Sequence, residues 1–164
     1  MNTTKNASTG LQELPRVRQA TIEDFHQIIS MGKELHAENG LMPLAVDKIE
    51  ETAMKGINHD GGVIGVIGAV GNIEAMIHLV IAQYWYSHDL HLEELYNFVR
   101  PQFRRSNNAK ALIEYAKRCS ERMDVPLLIG IVSNQRTEQK VKLYQRRLGE
   151  PSGAYFLYNA KTGG

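Results

Sequence analysis

A single cysteine, Cys119, stands in 164 residues, which excludes an intramolecular disulfide framework and fits a reducing compartment. Net charge is nearly as scarce. Lysine and arginine number 19 against 18 aspartates and glutamates, so the whole molecule has no field to recruit nucleic acid or an acidic membrane, and any basic function has to be local. Long apolar runs are missing too: the longest, VIGVIGAV at 63–70, falls far short of the roughly 20 residues that span a bilayer. The polar N-terminus carries no signal-peptide core, so the expected location is the cytoplasm, with no membrane partner. Six histidines occur, and no two of them share a helix with a glutamate at metalloprotease spacing, so no metal site is expected. A phosphate-binding P-loop and a serine nucleophile elbow are also absent.

What is there suffices for one core. With 43% hydrophobic residues, a single domain is expected at 15–160, after a polar, aperiodic tail at 1–14. RVRQA reads as a short opening strand, and Thr21 followed by Asp24 as a helix start of the capping-box type. Phe25, Ile28, Ile29, Gly32 and Leu35 recur at helical spacing until Asn39 and Gly40 stop the run, and a second helix is predicted over 46–57. From 61 to 100 the pattern turns to strand. GGVIGVIGAV and IEAMIHLVIAQYW flank Gly71 and Asn72, a pair suited to the positive φ angles of a tight hairpin turn, and LHLEELYNFV gives a third antiparallel strand that Pro101 ends.

Ala109, Leu112, Ile113, Ala116, Cys119 and Met123 line one face of the next predicted helix, where Cys119 reads as a small buried hydrophobe. PLLIGIV at 126–132 reads as a buried parallel strand, Thr137, Val141, Tyr144 and Leu148 as the stripe of another helix, and GAYFLYN as a last strand. The order predicts an α/β (α+β) fold: a mixed sheet of central antiparallel strands followed by a strand-helix-strand unit, with helices on both faces.

The glycine spacing of GGVIGVIGAVG does not make a dinucleotide fingerprint, because the segment leads into a strand and not into a helix. The segment from Pro101 to Lys110 is different. Strand end, turn and helix start coincide there with Arg104, Arg105 and Lys110. The first-turn amides of a helix lack internal partners and the helix dipole adds about half a positive charge, so an anion is favoured. A solvated basic helix start capped by Ser106 or Asn107 accounts for the same residues.

The run VRPQFRRSNNAKAL resembles the acyl-CoA-binding motif of the GNAT superfamily of N-acetyltransferases. In that motif a strand ending in Val-x-Pro leads to an arginine, a Gly-x-Gly/Ala turn and a helix opening with lysine, alanine and leucine. Val99, Pro101, Arg104, Ala109, Ala111 and Leu112 match without a gap. VRQATIEDFHQII is similar to the family's opening strand and helix, and KLYQRRLG to its late tyrosine-bearing helix, so the likeness spans 16–158 in the family's order. Asn107 stands where the family has its first glycine. Asparagine visits left-handed backbone more readily than most residues, and Ala109 is small, so the turn is expected to form.

The resemblance implies acetyl-CoA as cosubstrate, no metal, and transfer of an acetyl group to an amine of a small molecule or protein by direct attack in a ternary complex. It implies that the amides of Arg105, Ser106, Asn107, Asn108, Ala109 and Lys110 hold the coenzyme pyrophosphate, with Arg104 also in the coenzyme site. The strand end Asn97, Phe98 and Val99 would pair with the pantetheine, and Asn134 would join the coenzyme site. Tyr144 matches the family's general acid. Glu93 and Glu94 are the candidate bases; strand neighbours face opposite sides, so only one can look into the cleft, and ungapped alignment with the histone-acetylating branch favours Glu93, acting through a water. The loops at 36–44 and 84–89 would face the acceptor. Two other readings stand beside this one: a non-catalytic acyl-CoA-binding module of the same fold, and a nucleic-acid-binding protein using the basic turn and the 136–147 helix. Homodimerisation is left open.

Overall fold

Apolar residues running from 62 to 99 form the sheet on which the rest of the chain packs. The structure, a computed structural model, describes residues 13–160; the tail expected at 1–14 lies outside them apart from its last two residues, of which Leu14 packs on the core. Strands β1 (Arg18–Gln19), β2 (Gly62–Ala69), β3 (Asn72–Gln83), β4 (Leu90–Val99) and β5 (Leu127–Leu128) make a five-stranded sheet in sequence order. The pairings are antiparallel except for β4 with β5, which is parallel. Helices α1 (Phe25–Asn39) and α2 (Val46–Ile57) lie on one face, α3 (Asn108–Met123) on the other, and α4 (Thr137–Leu148) follows β5.

Both faces of the sheet are covered, which is why β2 and β3 read as near-continuous apolar runs. Ile64, Val66, Ile73, Met76 and Phe98 meet Ile28, Ile29, Met31 and Ala53 on the first face. Ile67, Ala75, Ile77, Leu79 and Val99 meet Ala111, Leu112 and Ala116 on the second. Burial of each large aliphatic side chain contributes about 1.5–3 kcal/mol, so these two layers supply the main driving force.

Three expectations are corrected. The hairpin turn between β2 and β3 is made by Val70 and Gly71, not by Gly71 and Asn72: Gly71 alone takes φ of 73°, and Asn72 already pairs with Ala69. The strand expected at 126–132 pairs with β4 only at Leu127 and Leu128, and both are half-buried, because β5 is the sheet edge among the described residues. GAYFLYN forms no strand. Phe156 and Tyr158 are each 95% exposed; β propensity reflects packing against a neighbour, and no strand edge engages this segment.

The start of the fold is fixed by Asp24. Its buried carboxylate accepts from Arg18 Nη1 at 2.7 Å and Nη2 at 2.9 Å, from the Thr21 amide at 2.9 Å and from the Gly71 amide at 3.1 Å, joining β1, the entry to α1 and the β2–β3 turn. Burial alone would raise its pKa, but the Arg18 pair and the two amides outweigh it and hold it at about 2. A depressed carboxylate stabilises the fold above the ordinary range and ceases to do so as pH falls through about 2. Asp24→Asn should therefore cost about 3 kcal/mol at neutral pH in urea denaturation, because it leaves the Arg18 charge unpaired. The variant should also lose less stability than the wild type on acidification to about pH 3.

Candidate active site

Strand β4 pairs with β3 from Leu90 to Val99, yet with β5 only at Leu92 and Glu93. Among the described residues, its edge toward β5 has no strand partner from 94 to 99, so the sheet splits there. Just where the split begins the register with β3 slips. His78 lies opposite Tyr96 while Leu79 lies opposite Glu94, which leaves Leu95 as the extra residue of a β-bulge.

The bulge decides which side chains meet. Residues three apart on a regular strand point to opposite faces, but the additional Leu95 puts Glu94 and Asn97 on one face, opposite Leu79 and Ile77 and toward α3. Tyr96 and Phe98, opposite His78 and Met76, face α1 and α2. Without the bulge Glu93 would share a face with Asn97, which is the assumption of an ungapped alignment. Glu94 takes that place in the structure, and Glu93 is a 42% exposed side chain with its Oε2 3.5 Å from His91 Nε2.

Helix α4 brings Tyr144 to this face. Asn97 Nδ2 donates to the Tyr144 hydroxyl at 2.9 Å. Burial, reinforced by the nearby Glu94 charge, raises the Tyr144 pKa well above its ordinary value, so the phenol stays protonated. Burial likewise pushes Glu94 up to about 8, and its Oε2 is buried without a hydrogen-bond partner. A neutral phenol, a carboxyl group poised near neutrality and an amide that orients the phenol thus converge beside the open edge of β4.

The turn after β4 forms without glycine for a simple reason. Asn107, the N-cap of α3, has φ of −87°, and among the described residues the non-glycine positive-φ positions are His59, Asp124, Arg136 and Asn159, none in this turn. The expected recourse to left-handed backbone at Asn107 is not used. Ser106 Oγ accepts the Asn108 amide at 3.1 Å, and Asn108 Nδ2, buried, donates to Glu74 Oε2 at 3.0 Å, anchoring the helix start to β3. The amides of Ala109 and Lys110, being in the first turn, have no intrahelical acceptor. Arg105 is exposed at the rim and Lys110 is half-exposed.

Arg104 does not reach out into solvent. It donates from Nε to the Val99 carbonyl at 3.0 Å, pairs with Glu38 of α1, and lies with its guanidinium carbon 5.4 Å from the Phe98 ring centre. Lys140 of α4 stands close by: burial lowers its pKa, Glu38 opposes that, and the Arg104 and Arg136 charges lower it further. Its Nζ donates to Ser133 Oγ at 2.7 Å, while Asn39 Oδ1 accepts from the Asn134 amide at 3.1 Å, so the segment after β5 is tied to the end of α1. The side of Asn134 used here is its backbone. The sequence reading passed over Glu38, Asn39 and the side chain of Asn97, and it missed the bulge, whose one signal was the break in alternation at Leu95 in LHLEELYNFV.

Among solved structures, AAC(6′)-Iy in complex with the bisubstrate analogue CoA-S-monomethyl-acetylneamine matches with a TM-score of 0.70 at 17% identity, over 91% of this chain and 99% of that one. A ribosomal-protein-alanine N-acetyltransferase from Brucella melitensis biovar Abortus 2308 matches with a TM-score of 0.63 at 14% identity, over 90% and 99%. The chain has the GNAT fold. An integron cassette protein from the mobile metagenome of Cole Harbour Salt Marsh shares that architecture with a TM-score of 0.67 at 24% identity, over 90% of this chain and 91% of its own. No family model and no curated protein sequence matches the chain. Among the described residues of this GNAT fold no cluster of histidine, cysteine, aspartate or glutamate is arranged to hold a metal ion, and no helix is long and apolar enough to cross a membrane.

The buried carboxyl of Glu94 has a thermodynamic signature. A group whose folded pKa is raised from 4.5 to about 8 binds its proton more tightly in the native state, so its contribution is full at low pH and is lost as pH rises through that window. Glu94→Gln should flatten the fall in melting temperature between about pH 5 and pH 8. A slope equal to that of the wild type would show that Glu94 is not the titrating group.

Proposed function

We propose that the protein is an acetyl-CoA-dependent N-acetyltransferase. The observation that carries this reading is the Tyr144, Asn97 and Glu94 constellation beside the unpaired edge of β4. The residues present suit the cosubstrate. The free edge at 94–99 offers strand-like backbone groups to a pantetheine amide chain, and the first-turn amides of Ala109 and Lys110, with Arg105 and the Lys110 ammonium, suit a pyrophosphate. Arg104 braces the turn from behind by holding the Val99 carbonyl and Glu38.

Acetyl-CoA supplies an acetyl group activated as a thioester. In the transfer the acceptor nitrogen forms the new bond to the acetyl carbon, the carbon–sulfur bond breaks, the nitrogen gives up a proton and the sulfur gains one. Glu94 is suited to take the proton from nitrogen, because its pKa of about 8 leaves a usable ionised fraction near neutrality while keeping the carboxylate basic. Tyr144 is suited to give one to sulfur. Its oxygen already accepts from Asn97, so its own proton is free to turn toward the split, and its raised pKa keeps that proton in place until a strongly basic thiolate develops.

Two variants separate the parts of this reading. Tyr144→Phe keeps the ring and removes the hydroxyl, both the proton donor and the acceptor for Asn97, so single-turnover acetyl transfer should fall by about 10²-fold with coenzyme affinity nearly unchanged and melting temperature lowered only slightly. Ala109→Asp puts bulk and negative charge at the start of α3, so acetyl-CoA binding measured by calorimetry should be nearly abolished in a protein that still folds. Undiminished turnover in the first variant removes Tyr144 from the chemistry; undiminished affinity in the second moves the phosphates elsewhere.

A further inference from the structure

On the opposite face of β4 from Glu94 and Tyr144, a cavity of about 450 Å³ opens between α1, α2 and the loop joining them, with Met76 and Tyr96 among its walls. Its walls include Tyr96, from the stretch of β4 that is unpaired toward β5, and Val132, from the segment after β5. The loop at 40–45 is held over it by His36, whose Nε2 is 2.7 Å from the Met42 carbonyl. Leu35, Leu41, Met42, Leu44 and Ile49 make the walls apolar, and Met42 and Val132 are exposed at 63% and 55%, an apolar rim with nothing on it.

The charges around the cavity are uneven. No lining residue is acidic and Lys48 is a cation on the wall; Glu34 pairs with Arg100 at 3.1 Å, Glu38 with Arg104, and Glu51 with Lys48 at 3.2 Å and Lys55 at 2.7 Å, while Asp47 and Glu50 of α2 are exposed and outside the lining. The polar groups on the wall are mostly spent as well. Thr52 Oγ1 donates to the Lys48 carbonyl at 2.7 Å, and Asn39 Oδ1 accepts from Ser133 and Asn134. Among the described residues the Tyr96 hydroxyl makes no hydrogen bond, and burial raises its pKa, so it offers a neutral oxygen and no charge. A guest with several ammonium groups would have to strip water from each of them against apolar walls with no anion in return. A guest with one amino group and an apolar body can keep that group at the split, within reach of the face that carries Glu94 and Tyr144, and rest its body on the apolar walls beside Tyr96.

We propose that the acceptor is a primary amine carrying one amino group on an apolar body, seated in this cavity, and that polycations are poor acceptors. The proposal rests on the acyl-transfer reading for the word acceptor, and its test is independent of turnover. Phenethylamine and spermidine are titrated into the protein by calorimetry, alone and saturated with coenzyme A, and then compared as acceptors by thiol release from acetyl-CoA. Phenethylamine should bind at least about 10-fold more tightly than spermidine, with a preference in kcat/KM of about 10²-fold. Thr52→Glu adds a carboxylate to the helical wall and Val132→Asp adds one to the irregular segment opposite, where no helix can be disturbed. Either change should shrink the binding preference by about 10-fold while leaving acetyl-CoA affinity unchanged. Equal or tighter binding of spermidine by the wild type, no binding of phenethylamine, or an unaltered preference in both variants overturns the proposal. Failure of the wild type to bind acetyl-CoA in the same calorimeter counts against the acyl-transfer reading alone, since the contrast between the amines still judges the cavity.

Discussion

One strand is held on one edge and left open on the other, and the organisation of the site depends on that. β4 must be paired to β3 along its length to keep two apolar layers closed, yet from 94 onward it has to leave its β5 edge unpaired. Unpaired backbone in a sheet is costly when buried and an aggregation risk when exposed. Here the open stretch is short, twisted by the Leu95 bulge, and screened by α4 through the Tyr144 contact with Asn97. The same bulge turns Glu94 to the α3 side and leaves Tyr96 on the α1 side, so one irregularity both opens the split and assigns its two faces.

Three arginine–carboxylate pairs fasten the chain, two of them at the end of β4 beside the split. Arg18 with Asp24 fixes the first strand, Arg100 with Glu34 fixes the end of β4, and Arg104 with Glu38 fixes the turn that follows. Exposed pairs of this kind contribute about 1 kcal/mol or less, and partly buried ones gain mainly by geometry and by the penalty of leaving a partner alone. Their joint effect is positional. Each arginine also donates to a main-chain carbonyl, of Gly68, Ile73 and Val99 respectively, so the guanidinium groups set backbone as well as charge. A turn braced in this way keeps ordinary right-handed backbone at Asn107 and has no call for glycine.

Much of this was legible in the sequence because it follows from period and punctuation. α1, α2, α3 and α4 fall where the 3.6-residue stripes put them, and Pro101 ends β4 as a missing amide donor should. The turn motif follows the end of β4 that is unpaired toward β5, and KLYQRRLG holds the tyrosine that meets Asn97 there. What was not legible depends on register and on partners. An ungapped comparison carries the parity of a regular strand, so it chose Glu93; a single extra residue reverses the parity and presents Glu94 instead. PLLIGIV and GAYFLYN have strand composition, but a strand is a relation between two segments, and composition does not say whether the second is there.

Under the proposed reading, the two faces of β4 would let proton transfer and acceptor choice vary separately. Burial by α3, α4 and the sheet raises both pKa values, bringing Glu94 to about 8 and keeping the Tyr144 phenol protonated. The cavity on the other face is built from α1, α2 and their connecting loop, none of which supplies either group. Substitutions at 40–52 can therefore change what fits against Tyr96 without changing the dielectric around Glu94. A change at Leu95 cannot be so confined, because the residue that fills the bulge sets the orientation of both faces at once.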